Sequence, residues 1–437
     1  MRARTVAGVV AVGLLAAACS SSTTTGGGSS TTPETSGSSA GSASGPAAPA
    51  STCVQDPAAA YAAQQSPESL TAALPEDLVS SLDAAVEATL PDVSAPGIVA
   101  GVRTPEGTWV KAYGSADWAG TTPMTDDVHQ RIGSVTKTIT GTVILQLAQE
   151  GKLSLDDTID QYVEGMPNGD TATLRMLADM TSGIASYTFS STFTDSYFAD
   201  PEQVFTPDQL LDVARSLDPL FEAGTQYNYS NTNTILLGKV IEKVTGQDVA
   251  DVFQERVFGP LGLTGTSWPG ESPDLPEPHA TGYSLQGSGT PENPADATFW
   301  NPAWGWTAGE AISTVRDLLV YGRAIGTGQG LLDEATQTER LTSFPGEAGY
   351  GLAMGCVAGW VGHTGELPGF NTSVFYDTGS DTTVIVMANS DIASGDCTES
   401  PVLPDNPTGI ECRSPATRVF VSLSEALGSP FTPPPLA

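Results

Sequence analysis

The chain has 437 residues, with 50 acidic against 17 basic side chains and a formal net charge of −33. With no basic patch of any size, nucleic acid and anionic lipid surfaces are poor partners. Only 15% of residues are charged, so the acidity reflects scarce Lys and Arg, and the length suffices for one large domain or two lobes.

Met1-Arg2-Ala3-Arg4 is basic, and Thr5 to Ala18 is small and apolar but too short to span a bilayer as a helix. Residues 1–18 therefore read as a secretory signal peptide, whose removal takes the charge from −33 to −35 as Arg2 and Arg4 leave. It ends Leu15-Ala16-Ala17-Ala18-Cys19, which resembles the bacterial lipobox, with Ala16 where that pattern prefers Leu. The resemblance implies a lipid on Cys19 and a protein outside the cytoplasm, held to the cell membrane by that anchor alone. Cleavage near Ala18 with release is the alternative. Residues 19–73 read as a tether: Ser20 to Ala50 is Ser, Thr, Gly, Ala and Pro with Glu34 as its one charge, too polar to bury a core. Gly37-Ser38-Ser39-Ala40-Gly41 matches the Gly-x-Ser-x-Gly elbow in form, but this tract supplies neither the strand nor the helix that elbow requires.

With Cys19 assigned to lipid, Cys53, Cys356, Cys397 and Cys412 form an even set in an oxidising compartment. Three pairings are open. Cys397 with Cys412, flanking a Pro-rich loop, is the most economical, and Cys53 with Cys356 would tie the tether's end to the body. No Cys-x-x-Cys or His cluster suggests a metal, and no cofactor is expected.

From residue 74 the elements follow in order. Leu78, Leu82, Val86 and Leu90 give Pro75–Leu90 an amphipathic helical spacing. Gly97–Arg103 and Gly107–Tyr113 read as a hairpin. Gln130 to Gln149 has no charge after Lys137, and Ile139, Val143, Ile144 and Leu147 recur at helical spacing, which predicts a helix buried on most of its circumference. Thr173–Met180, Pro207–Leu217, Asn233–Val244, Val257–Leu263 and Thr314–Ile325 continue as helical pieces. Val374–Tyr376 and Thr382–Asn389 read as a second hairpin, and Ala416–Leu427 as a closing helix. The simplest arrangement is an α+β domain over 74–437. One antiparallel sheet is built from both chain ends and flanked by the first and last helices, with a helical lobe inserted at about 115–310.

Ser134 and Lys137 lie three apart at the start of the buried helix and so share a face. Backbone N–H groups at a helix start favour developing negative charge, and a cation beside a hydroxyl in a dry setting is a way to activate a nucleophile. Taken alone, Ser-x-x-Lys is common, and Ser134 as a cap with Lys137 on the surface is the plain alternative. Lys137 is, however, the only one of five lysines with a Ser three places before it. Two further triplets follow: Tyr229-Ser230-Asn231 before a helix, and His363-Thr364-Gly365 at the end of a probable strand.

Ser-x-x-Lys, a polar triplet and a basic-Thr-Gly triplet in this order are a variant of the β-lactamase and penicillin-binding set. With Tyr-x-Asn in the middle and His in the third, the chain resembles the class C β-lactamase and serine DD-carboxypeptidase family from about Leu74 to Leu427. That resemblance implies a β-lactamase/transpeptidase-like fold and an acyl-enzyme on Ser134. Lys137 and Tyr229 would be the base candidates, the cation lowering the pKa of the phenol so that it works partly as phenolate. Asn231 would bind the acyl amide and help hold Lys137. The N–H groups of Ser134 and Glu366 would form the oxyanion hole, with Gly365 allowing close approach. Tyr227 reads as a packing aromatic, and His129 and His279 as solvated.

Two departures shape the expected substrate. Glu366 stands where DD-carboxypeptidases carry a hydroxyl, and a carboxylate there would repel a substrate's C-terminal carboxylate. Tyr350 to Cys356 contains no Lys or Arg to bind one. His363 would titrate near pH 6–7. The expectation is a monomeric serine hydrolase cleaving an amide or ester of a cell-wall peptide or related small molecule. A carboxylesterase, or a non-catalytic wall-binding lipoprotein on the same fold, is the alternative.

Overall fold

Two apolar runs from opposite ends of the sequence meet at the centre of the sheet. Strand β1 (Gly97–Arg103) and strand β7 (Thr382–Ala388) are buried along their whole length and pair antiparallel, Val99 opposite Met387. The computed structural model describes residues 52–436. Its main sheet has seven antiparallel strands in the order β2-β1-β7-β6-β5-β4-β3. Here β2 is Thr108–Gly114, β3 Ala348–Gly351, β4 Met354–Val357, β5 Trp360–Leu367 and β6 Phe370–Asp377. Every strand apart from the first two comes from the last quarter of the chain.

Continuous Val, Ile and Ala in β1 and β7 are what a sheet covered on both faces requires. One face carries helices α1 (Glu76–Thr89) and α5 (Pro415–Ala426), where Leu82, Val86, Trp360, Phe375 and Phe420 form one core. The other carries α4 (Val315–Thr327) and the helical lobe, whose core includes Ile139, Val143, Leu236 and Ile385. At the centre of that lobe α2 (Thr136–Gln149) is buried from Thr136 to Leu147, beside α3 (Asn231–Thr245). A short ladder, Gln130–Arg131 against Ile312–Ser313, joins the lobe's two ends.

The predicted arrangement of sheet, flanking helices and inserted helices is the observed one, but two strands, β3 and β4, were given no bounds. β3, β4 and the start of β5 hold Gly349, Gly351, Gly355 and Gly362, which leaves too few side chains to show an alternation. The tether also ends sooner than residue 73. Pro57–Ala62 and Pro67–Leu70 are helical turns, and Cys53, Val54 and Ala60 belong to the core. This Ala-rich segment has no hydrophobic period, and it docks through tertiary contacts: Arg323 donates to the Ala63 carbonyl at 2.9 Å and Gln329 to the Tyr61 carbonyl at 2.8 Å. The signal segment and Cys19 lie outside the described residues. Among the described residues no helix is long and apolar enough to cross a membrane.

Both expected disulfides form, Cys53–Cys356 and Cys397–Cys412. The first bridges a sequence separation of 303, so in the chain-entropy account it restricts the unfolded state most. Replacing Cys53 and Cys356 together by Ala is expected to lower stability by about 4 kcal/mol, read as a drop in thermal midpoint.

Candidate active site

Ser134 sits in a single tight turn, Gly133–Val135, that leads into α2. The turn presses on β5. A methyl on Gly133, whose φ is +53°, would lie 2.4 Å from the Glu366 nitrogen, and one on Gly365 would lie 1.8 Å from the Ile132 carbonyl oxygen and 3.3 Å from the Ser134 nitrogen. Glycine at both positions is therefore the condition for bringing the Ser134 and Glu366 N–H groups to one spot.

Lys137 is fully buried. Its Nζ reaches Ser134 Oγ at 3.0 Å and the Ala308 carbonyl at 2.7 Å, and no carboxylate joins them. Burial holds the amine well below its ordinary pKa, because a cation in a dry site lacks both water and a counter-ion. The Tyr229 ring lies against this amine, 5.0 Å from Nζ to the ring centroid. Its hydroxyl is buried and has no hydrogen-bonding partner of good geometry. Burial pushes the phenol well above its usual pKa, although the neighbouring Ser134 hydroxyl favours ionisation. The expected phenolate is thus overturned: desolvation outweighs the Ser134 contact and raises the phenol's pKa, and the same burial lowers that of the Lys137 amine.

Asn231 opens α3 and is fixed by its own neighbourhood, not by Lys137. Its N–H donates to Ser186 Oγ at 3.1 Å and its amide to Thr188 Oγ1 at 3.3 Å. The expectation that Asn231 holds Lys137 therefore fails; the Ala308 carbonyl takes that part, and a backbone acceptor leaves no mark in a sequence. Tyr350 was missed as well. Its hydroxyl lies 3.1 Å from His363 Nε2, and its ring meets Tyr229 edge-on at 5.9 Å. His363 Nδ1 faces the Thr364 carbonyl, so a neutral ring with its proton on Nδ1 satisfies both contacts. Burial first, and Lys137 second, lower the His363 pKa to about 3. The anticipated titration near pH 6–7 is overturned for that reason. Tyr227 packs 6.3 Å from the Tyr350 ring, and His129 and His279 are half-buried neighbours in a short bridge apart from the pocket's lining.

The pocket is lined by Ser134, Asn231 and Glu366 together with the aromatic rings of Phe193, Tyr197 and Trp304. Its lining includes no Lys or Arg. The aromatic side was legible only in part: Phe193 and Tyr197 stand four apart in Ser191–Ala199, a helical spacing that went unread. Thr364 precedes the pocket on β5, between His363 and Gly365. Glu366 takes a weak contact from Asn371 Nδ2 at 3.4 Å. Burial, then the Asp391 charge, raise its pKa well above the ordinary carboxyl value. Asp391, held by Gln286 Nε2 at 2.7 Å and Ser284 Oγ at 2.9 Å, is itself pushed up by burial to about 6. Burial and the Asp391 charge therefore both oppose the fixed negative charge expected at Glu366. Among the described residues no group of three His, Cys, Asp or Glu is placed to hold a metal.

The family profile described as Beta-lactamase matches residues 82–400. The chain belongs to the Beta-lactamase family. A D-aminopeptidase of Brucella anthropi is 36% identical over 186 residues, which is 42% of this chain and 35% of that protein's length. The structure of a D-stereospecific amidohydrolase from Streptomyces sp. superposes with a TM-score of 0.65 at 33% identity, covering 71% of this chain and 94% of that one. D-amino acid amidase from Ochrobactrum anthropi, solved with L-phenylalanine amide, gives 0.65 at 25% identity over 72% and 92%. The protein is a serine hydrolase of the β-lactamase and penicillin-binding family.

In this β-lactamase-family enzyme, Gly365→Ala is expected to slow labelling of the serine by a fluorophosphonate about 100-fold, since ångström-scale displacement of reacting groups costs on that order. His363 gives a prediction with a definite sign. Its folded value near 3 lies below the unfolded value of about 6.5, so the fold binds fewer protons and loses stability as pH falls from about 6.5 towards 3. His363→Gln should flatten that decline, measured as urea midpoints at pH 7 and pH 4, and should leave no inflection in kcat/KM between pH 6 and 8 to be removed.

Proposed function

We propose that the protein is an extracytoplasmic amidohydrolase that forms an acyl-enzyme at Ser134 and cleaves small amides, and with them esters, of amino acids with apolar side chains. The observation that carries this reading is the fully buried Lys137 amine 3.0 Å from Ser134 Oγ with no counter-ion, its pKa lowered by burial. An amine kept neutral by burial can take a proton at neutral pH, which an exposed lysine cannot.

Ser134 Oγ attacks the carbonyl carbon as its proton passes to Lys137, and the N–H groups of Ser134 and Glu366 receive the negative oxygen. The tetrahedral adduct collapses and the C–N bond breaks. Tyr229, lying against Lys137, delivers the proton to the leaving nitrogen, which departs as ammonia or an amine. Water then enters, gives a proton back through Tyr229 and Lys137, and releases the acid. Asn231 orients the acyl amide, while His363 and Thr364 support β5 where the substrate lies against it.

The pocket supports an apolar substrate. Phe193, Tyr197 and Trp304 suit an aromatic or aliphatic side chain. The lack of Lys and Arg in the lining speaks against a free C-terminal carboxylate, and so against D-alanyl-D-alanine carboxypeptidase action. Glu366 suits a free ammonium: a cation at that point would favour the ionised carboxylate that burial otherwise opposes. The likeness to D-stereospecific amidohydrolase and D-amino acid amidase extends this to D-amino acid amides. Export through residues 1–18 and a lipid on Cys19 complete the proposal.

Purified enzyme is expected to hydrolyse D-phenylalanine amide faster than N-acetyl-D-phenylalanine amide, the L-amide or a D-Ala-D-Ala peptide, with p-nitrophenyl esters also turned over. Glu366→Gln should raise KM for the free amine about tenfold, the order of one charge-assisted contact, and leave the acetylated amide unaffected. Ser134→Ala should abolish all turnover. Fast release of D-Ala from the peptide would overturn the substrate assignment, and a Ser134→Ala variant with parental rates would overturn the mechanism.

A further inference from the structure

Arg131 and Glu310 are buried ionisable groups for which the chemistry above has no use. Arg131 is 2% exposed and Glu310 is wholly buried. Arg131 sits on the short ladder that closes the helical lobe, and Glu310 lies just before that ladder's second strand. Arg131 pairs with Ile312, and the ladder continues as the Ile132 N–H donates to the Ala311 carbonyl at 2.9 Å. Glu310 lies two residues before Ile312, outside the strand, and each of the two groups feels the other's charge although no ion pair within 4.0 Å joins them.

One nitrogen of Arg131, Nη2, donates to the carbonyls of Pro273 and Thr298. Its Nε and Nη1, and both carboxyl oxygens of Glu310, have no hydrogen-bonding partner in the protein. Each group supports the charge of the other across this gap, while burial opposes both. The Gly270 amide also favours the Glu310 carboxylate, from outside hydrogen-bond geometry. Tyr197 and Asp274 are Arg131's other electrostatic neighbours, and the Tyr197 ring forms part of the pocket's lining. A buried pair of this kind adds little stability over apolar residues of the same volume, so its presence asks for another reason.

The location supplies one. Glu310 is two residues beyond Ala308, whose carbonyl holds the Lys137 amine, and it directly follows Gly309 in the pocket's lining. Besides the Lys137 contact at Ala308 and the Ile132 contact at Ala311, the segment Trp306–Ala311 is fastened at three points: Thr140 Oγ1 donates to the Thr307 carbonyl at 2.8 Å, Thr307 Oγ1 to the Thr234 carbonyl at 2.8 Å, and the Ala311 N–H to Thr136 Oγ1 at 3.2 Å. Apart from one tight turn, Trp306–Ala308, it has no helix or strand to stiffen it. We propose that Arg131 and Glu310 are a positioning pair: the attraction between them sets where the Ala308 carbonyl stands, and so aims the Lys137 amine at Ser134. The inference rests on Lys137 being the base.

The test uses Arg131→Met, Glu310→Met and the double variant. Fluorophosphonate titration counts active sites, thermal midpoints follow stability, and kcat and KM on a p-nitrophenyl ester are expressed per titrated site. Each single variant is expected to lose stability, because one charge is left buried alone, and to lose about tenfold or more in kcat per site with KM within about twofold. The double variant should regain the parental midpoint and not the parental kcat. A double variant with kcat per site within about twofold of the parent would overturn the proposal, as would single variants whose losses disappear once active sites are counted. A parental enzyme that neither labels at Ser134 nor turns over the ester would instead overturn the reading of the site itself.

Discussion

The structure depends on keeping one lysine dry. An amine in a protein interior is costly if charged, and Lys137 meets only a serine hydroxyl and a backbone carbonyl. Its neighbours are arranged so that no ion intrudes. His363 is held neutral, Tyr229 and Tyr350 are held as phenols, and Glu366 turns towards the pocket. In the proposed mechanism reactivity comes from withdrawing solvent, and the helical lobe is the means of withdrawing it. Helix α2 is buried on all sides for most of its length because the rest of the lobe is wrapped around it.

The same constraint explains the fold's division of labour. The sheet contributes backbone: β5 brings an amide nitrogen and a glycine against the Ser134 turn. The lobe contributes side chains, from α2, α3 and the loop before α3. Neither half holds a complete site, so the interface between them must be accurate. The short ladder at Arg131 and Ile312, with Ala308 a few residues before it, is where the chain reconnects the halves close to the chemistry.

Much of this was legible before any coordinates. The apolar runs of β1 and β7, the period of α1 and the uncharged length of α2 announced themselves because burial selects side chains directly. Ser134, Lys137, Tyr229, Asn231, His363 and Glu366 could be picked out because their chemistry needs particular residue types in a particular order. What escaped was structure made by backbone or by small residues. The glycine-bearing β3 and β4 have no alternation to read, the Ala308 carbonyl has no residue signature, and the docked segment after Cys53 is held by partners hundreds of positions away. Charge states escaped as well. That Tyr229 is a phenol and His363 never titrates near neutrality follows from burial in three dimensions, which no local pattern encodes.

The Cys53–Cys356 bond joins the beginning of the described chain to β4, next to the strand that carries Tyr350. A pull arriving from the amino terminus would pass through that sulfur bridge into the sheet and bypass residues 54–73 altogether. The helical turns at Pro57–Ala62 and Pro67–Leu70 would bear no load, and α1 could not be unzipped from its end. Such a force would enter the sheet at Cys356 on β4, one strand away from β5, which packs against the Ser134 turn.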